Sequence, residues 1–300
     1  MKALLFPGQG SQKPCLGKEL YMRYPQKASI LRDILGLTVA EICPDDTIGI
    51  LSDTKYLQPI LFAVCALAYD EYVEENGFPQ LCAGHSLGEF AALYAGGALG
   101  FEDGIRLLKA RGEIMSNCPC GSMAAVSGLY ADETEKILVQ NGLDAQMMVN
   151  FTTPTQTVLS GSIDEIKQAE AVFENIKGVA FVPLSVGGPF HSKYMEECAE
   201  QFGKIIDTVN FSPIKIPVVS AVTALPYDDI KDTLKKHMAS PVRWCDCVNY
   251  ILDIGAEPVA VYPVGPITGM TRSIKKERGK ANGNVNIGNG QLLSANLCKL

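Results

Sequence analysis

Only three histidines occur in the 300 residues, His85, His191 and His237, so chemistry that needs an imidazole base has three places to find one. Long apolar runs are missing: no window approaches the roughly 18 residues of a membrane span, which excludes a spanning helix. The apolar run at Lys2-Ala3-Leu4-Leu5-Phe6 is too short for a signal peptide, and a cytoplasmic location is expected. Positive charge is scarce. Lys and Arg number 26 against 33 Asp and Glu, a net charge of -7, which argues against binding nucleic acid, since phosphate recognition needs a concentrated positive surface. Zinc spacing is missing too, although there are ten cysteines. Cys118-Pro119-Cys120 and Cys245-Asp246-Cys247 are C-x-C rather than C-x-x-C, and no histidine lies close in sequence to either pair. No metal is expected, and the cysteines read as reduced, mostly buried thiols. The local exception to the acidic balance is Arg272, Lys275, Lys276, Arg278 and Lys280 against Glu277. That run is either a solvated helix end or a face for an acidic partner.

What is present is ample material for a core: 47% of residues are hydrophobic and 20% charged, enough for one large domain or two modest ones. Strand-like and helix-like segments alternate through residues 1–117, which predicts an α/β architecture with a largely parallel sheet. Lys2 to Phe6 reads as a buried strand ending in the glycine loop Pro7-Gly8-Gln9-Gly10-Ser11-Gln12. Helical spacing predicts helices over Pro59–Tyr72 and Phe101–Met115. From Ser122 the texture changes to short elements, with strands at Met123–Leu129, Met147–Phe151, Thr157–Ser160 and Ala180–Ser185 and helices at Ala131–Gln140 and Ile163–Asn175. This β-α-β-β-α-β order predicts a ferredoxin-like insert over residues 122–188. The host core is then 1–121 and 189–280, resuming with a helix at Lys193–Asp207, a strand at Val218–Val222 and the apolar stretch Val259–Val264. A ligand cleft is expected between insert and host. Residues 281–300, rich in Asn and Gly, read as a flexible tail or linker.

Gly84-His85-Ser86-Leu87-Gly88 has the spacing of a nucleophile elbow, with apolar Leu81–Ala83 before it as a strand end and Glu89–Tyr94 after it as a helix start. Ser86 at a helix N-terminus faces N–H groups that favour developing negative charge. A serine needs a base. His85 adjoins it in sequence, where neighbours on such a turn point apart; His191, in the small-residue loop Gly187-Gly188-Pro189-Phe190-His191-Ser192, is the candidate. His237 follows Lys235 and Lys236 and looks like a solvated helix residue.

Several motifs occur together in a fixed order: Pro7-Gly8-Gln9-Gly10-Ser11-Gln12, Gly84-His85-Ser86-Leu87-Gly88-Glu89, Arg111-Gly112 followed by Met115, Pro189-Phe190-His191-Ser192, Pro241-Val242-Arg243-Trp244 and Val264-Gly265-Pro266. Over residues 1 to about 278 the chain resembles malonyl-CoA:acyl-carrier-protein transacylases and the acyltransferases of polyketide synthases, including free-standing ones, which implies an α/β hydrolase-like core. The resemblance implies a Ser86 nucleophile with His191 as base, malonyl-CoA and a phosphopantetheinylated acyl carrier protein as partners, and no cofactor. It implies an oxyanion hole from the backbone N–H groups of Gln9 and Leu87, a bidentate pair of Arg111 with the malonyl carboxylate, and an acyl pocket lined near Asn150. Phe190 before the histidine goes with malonyl rather than methylmalonyl. In the family a backbone carbonyl, usually of a glutamine, orients the imidazole; His237 takes that position here. The family's N-x-N before Ser-Pro is Asn150-Phe151-Thr152 before Thr153-Pro154, and its Gly-Met after the first motif is Cys15-Leu16-Gly17. Two other readings stand beside transfer: an acyl hydrolase of the same fold that clears carrier proteins, and a catalytically silent docking scaffold.

Overall fold

Short apolar runs bounded by turns become buried strands, and in the computed structural model, which describes residues 1–42 and 49–285, four of them form one sheet. β1 (Lys2–Phe6) and β2 (Leu81–Gly84) lie side by side in parallel. From Ala3 of β1 and throughout β2 every residue is buried, as expected for parallel strands covered on both faces. Their register pairs Phe6 with Gly84, so both strands end at the same sheet edge. The glycine loop leaves β1 there and the elbow leaves β2 there, which is where parallel α/β sheets carry their ligands.

The second sheet comes from the stretch with short-element texture. β3 (Ser122–Ser127), β4 (Met148–Thr153), β5 (Gln156–Gly161) and β6 (Ala180–Pro183) pair antiparallel in the order β4-β5-β3-β6. The helices Ala131–Gln140 and Ile163–Phe173 connect them. Alternation decides the faces: Ala124 and Val126 pack under those two helices, while Met123 and Ala125 turn the other way into the main core. The first sheet is completed by β7 (Val218–Val219) and β8 (Glu257–Ala260), giving the order β7-β2-β1-β8. Leu4, Phe6 and Cys82 pack with the 23-residue helix Thr54–Asn76 on one face. On the other, Ala3, Leu5 and Ala83 pack with Trp244, Val248 and Ile274 from the helices Trp244–Asp253 and Ile267–Val285.

A backbone clamp ties β4 of the second sheet to the segment that leads into the helix Trp244–Asp253: Phe151 N–H donates to the Val242 carbonyl at 3.0 Å, and Val242 N–H to the Val149 carbonyl at 2.8 Å. Two expectations shift. The strand expected over Val218–Val222 stops at Val219, because the chain turns at once, with Ala224 N–H on the Ser220 carbonyl at 2.8 Å. Residues 281–285 of the expected tail belong instead to the last helix, which runs to Val285; residues 286–300 lie outside the described residues. Among the described residues no helix is long and apolar enough to cross a membrane.

The elbow can pass over the end of β1 only because Gly88 has no side chain. A Cβ there would stand 2.2 Å from the Phe6 carbonyl oxygen and 2.7 Å from that of Pro7, both backbone atoms that cannot swing away. Gly88→Ala is therefore expected to lose about 2 kcal/mol or more of stability, read as a lower denaturation midpoint; an unchanged midpoint would contradict this packing.

Candidate active site

Ser86 sits at φ 51°, in the left-handed region, between β2 and the helix Gly88–Ala95. That conformation is costly for a residue with a Cβ and is sustained by bonds on either side: Gly88 N–H donates to the His85 carbonyl at 3.0 Å and Glu89 N–H to the Ser86 carbonyl at 2.9 Å. The result is a half-buried hydroxyl presented at the sheet edge. His191, from the loop after the second sheet, reaches it with Nε2 at 2.8 Å from Ser86 Oγ. His191 is also strained, at φ 64°, with its own N–H on the Met238 carbonyl at 3.0 Å.

The proton on His191 is located by its neighbours. Nδ1 lies 3.1 Å from the carbonyl oxygens of both His237 and Ser240, which can only accept, so Nδ1 carries the hydrogen and Nε2 is free to accept from the serine. Burial, helped by the nearby His237, Arg111 and His85, holds this imidazole well below its ordinary range. It is neutral at pH 7 and ready to take a proton. Such a pair can attack an acyl carbon.

The other two histidines have different work. His85 accepts from Asn150 Nδ2 at 3.1 Å through Nε2 and sets its ring edge-on to Trp244, centroids 5.4 Å apart. It points away from the serine, as expected of a neighbour on the turn. The reading of His237 as a solvated helix residue is corrected: it is 1% exposed. The adjacent lysines do face solvent, but His237 caps the helix Ile230–Lys236 on its inward side.

Arg111 is 1% exposed. The helix Phe101–Ser116 that carries it lies tight against Thr54–Asn76 at Gly112, where a Cβ would stand 2.8 Å from the Thr54 carbonyl oxygen. This contact brings Arg111 Nη1 to Gln58 Oε1 at 2.7 Å; Nη2 lies 3.4 Å from His237 Nδ1, and the guanidinium carbon sits 5.5 Å from the centre of the Phe90 ring. Nε has no partner. Burial pulls the guanidinium down to about 9, with the Glu89 carboxylate opposing, which leaves it charged at neutral pH. Glu89, fully buried, accepts from the Tyr227 hydroxyl and from Ala221 N–H at 3.2 Å. Gly8 lies against the elbow, since a Cβ there would be 2.4 Å from the His85 carbonyl oxygen, and the Gln9 side chain accepts from Thr54 Oγ1 at 3.4 Å. Phe190 is buried directly before His191, its ring beside Gly188. Asn150, on β4, joins the elbow to the second sheet through His85 and leaves its Oδ1 unpaired.

The structure thus brings Ser86, His191, His237 and Arg111 into one connected set. It adds Gln58, Glu89, Tyr227 and Ser240, which the sequence reading did not assign. Gln58 carried a signal, a polar residue amid an apolar helix, and Glu89 closes the elbow motif; Tyr227 and Ser240 carried none. Among the described residues no three His, Cys, Asp or Glu are grouped to hold a metal ion.

Comparison with known proteins gives a consistent answer. The profile of the acyl transferase domain family matches residues 3–260. The chain is 42% identical over 284 residues to polyketide biosynthesis protein PksE of Bacillus subtilis (strain 168), covering 92% of this chain and 37% of that protein. It is 40% identical over 282 residues to polyketide biosynthesis malonyl CoA-acyl carrier protein transacylase BaeC of Bacillus velezensis (strain DSM 23117), covering 92% of this chain and 98% of that one. A crystal structure of malonyl CoA-acyl carrier protein transacylase from Burkholderia pseudomallei superposes with a TM-score of 0.85 at 33% identity, covering 92% of this chain and 98% of that one. The chain therefore spans well under half of PksE and nearly all of the other two.

The depressed His191 predicts an acid limb displaced downward. A base whose folded-state pKa lies below 6.5 stays unprotonated as pH falls through 6.5 and is lost only lower. Labelling of Ser86 by a fluorophosphonate, timed across pH, is expected to fall to half its plateau rate clearly below pH 6.5; a midpoint at or above 6.5 would contradict the assignment.

Proposed function

The chain belongs to the acyl transferase domain family, and from that premise we propose that it transfers a malonyl group from coenzyme A to the phosphopantetheine thiol of an acyl carrier protein, in polyketide or fatty acid synthesis. The observation that carries this reading is the 2.8 Å Ser86–His191 pair linked through His237 to the buried guanidinium of Arg111. Ser86 Oγ attacks the thioester carbon while His191 Nε2 takes its proton. Collapse of the tetrahedral intermediate breaks the C–S bond, and the coenzyme A sulfur leaves with the proton from His191. In the second half the carrier thiol gives its proton to His191 and attacks the Ser86 ester; the serine leaves reprotonated. The backbone N–H groups of Leu87, after the nucleophile, and Gln9, beside the close approach of Gly8 to the elbow, form the oxyanion hole. One such donor is worth about 3 kcal/mol in the transition state.

Arg111 selects the acyl group. A malonyl carboxylate supplies the acceptor that its Nε lacks, whereas an acetyl group would leave a buried cation underused, which rejects monocarboxylic substrates. Phe190 crowds an α-methyl branch, a preference of about 1–3 kcal/mol. Asn150 lines the acyl pocket. The core of residues 1–121 and 189–280 is hydrolase-like, and residues 122–188, with strand order β4-β5-β3-β6 and two crossover helices, are a ferredoxin-like subdomain. The carrier, an acidic protein, docks on the exposed Arg272, Lys275 and Lys276 of the last helix. That helix follows Gly265, which packs on Ser11 of the glycine loop, so it starts beside the site.

The test is intact-protein mass spectrometry after incubation with malonyl-CoA, acetyl-CoA or methylmalonyl-CoA, with and without carrier protein. Malonyl is expected to load, to pass to the carrier, and to be absent from Ser86→Ala. Arg111→Ala is expected to lose ~100-fold in malonyl loading rate, about 3 kcal/mol, while gaining on acetyl relative to malonyl. Rapid release of free malonate with carrier present would instead mark a hydrolase.

A further inference from the structure

His237 does more with its side chain than its carbonyl role requires. Its Nδ1 faces Arg111 Nη2 at 3.4 Å, and because a guanidinium can only donate, Nδ1 accepts and the ring hydrogen sits on Nε2. Nε2 in turn faces Glu89 Oε2 at 3.2 Å, near but outside hydrogen-bond geometry. An imidazole is therefore interposed between a buried carboxylate and a buried guanidinium. The ring is wedged edge-on to Phe90 and to His191, with centroids 5.6 and 5.5 Å away.

The interposition has a consequence for the guanidinium. A direct bidentate pair with Glu89 would be the ordinary fate of a buried arginine, and it would occupy the same fork of donors that a substrate carboxylate needs. With His237 in between, Arg111 has the field of Glu89 without its oxygens. Its direct partners are two acceptors, Gln58 and His237, and Nε has none. Glu89 is kept from moving by Tyr227 and Ala221.

We propose that the His237 side chain is a positioning residue that insulates Arg111 from Glu89, holding the guanidinium open toward the acyl site while the same residue's carbonyl orients His191. This rests on the malonyl reading above and deepens it. Acyl selection and the alignment of the base are thereby tied to one residue.

The test measures the ratio of kcat/KM for malonyl-CoA to that for acetyl-CoA, with thermal melts to verify folding. In His237→Leu, which keeps the carbonyl and the bulk but loses both ring nitrogens, Arg111 turns to Glu89 and the ratio is expected to fall at least ~10-fold. His237→Gln restores an acceptor and a donor and is expected to stay within about threefold of the parent chain. The decisive variant is His237→Leu with Glu89→Gln: removing the capturing carboxylate is expected to raise the ratio at least ~3-fold over His237→Leu alone, whereas a merely structural defect would deepen. Should leucine not fold, His237→Met is read in the same way. An unchanged ratio in His237→Leu, or a double variant no better than the single one, overturns the insulation. Failure of the parent chain to load malonyl at all would overturn the functional reading instead.

Discussion

A guanidinium almost closed off from water, that of Arg111, is costly to bury, and much of the surrounding structure is arranged around it. Burying an arginine costs several kcal/mol unless donors are met and charge is answered. The close approach of two helices at Gly112 brings Gln58 within reach, Phe90 lies under the cationic carbon, and Glu89 answers the charge from behind an imidazole. Glu89, Phe90 and the imidazole of His237 also belong to the segments that build the proposed nucleophile or its base. Glu89 and Phe90 belong to the helix that starts after Ser86, and His237 holds His191. The proposed carboxylate site and the proposed serine site are thus a single packing solution.

The pair itself depends on backbone conformations that the chain adopts only under constraint. Ser86 and His191 both have positive φ, a cost of roughly 1–3 kcal/mol each. Ser86 is held by the turn bonds of Gly88 and Glu89 and by the passage of Gly88 over β1, and His191 by the Met238 carbonyl at its N–H and two further carbonyls at its ring. The two-carbonyl arrangement fixes a tautomer without a carboxylate. Such preorganisation costs nothing when the serine attacks, and it suits a buried imidazole already held in its neutral form.

Local pattern made much of this legible. The apolar runs of β1, β2 and β3 and the capped helix at Ile163 were readable because each depends on a few neighbouring residues. The elbow was readable for the same reason, and the geometry then joined Ser86 to His191 across 105 positions. The environment of His237 was not readable. Two lysines before it mark one side of a short helix, but only tertiary packing turns the next residue inward. Tyr227 and Ser240 gave no local sign, and Glu89, though it closes the elbow motif, gave none of its role, because their partners come from distant segments. The β7 strand was overextended because the apolar run past Val219 carries no period that reveals the turn at Ala224.

The central claim is that an acyl ester forms on Ser86 with its far carboxylate on Arg111. A crystal of this chain soaked in malonyl-CoA tests it most directly. The account predicts density continuous from Ser86 Oγ to a malonyl group whose carboxylate lies within hydrogen-bond distance of the Arg111 guanidinium, with the Glu89 carboxylate still separated from it by His237. An adduct on another residue, or an ester on Ser86 whose carboxylate points to solvent while Arg111 pairs with Glu89, would contradict it.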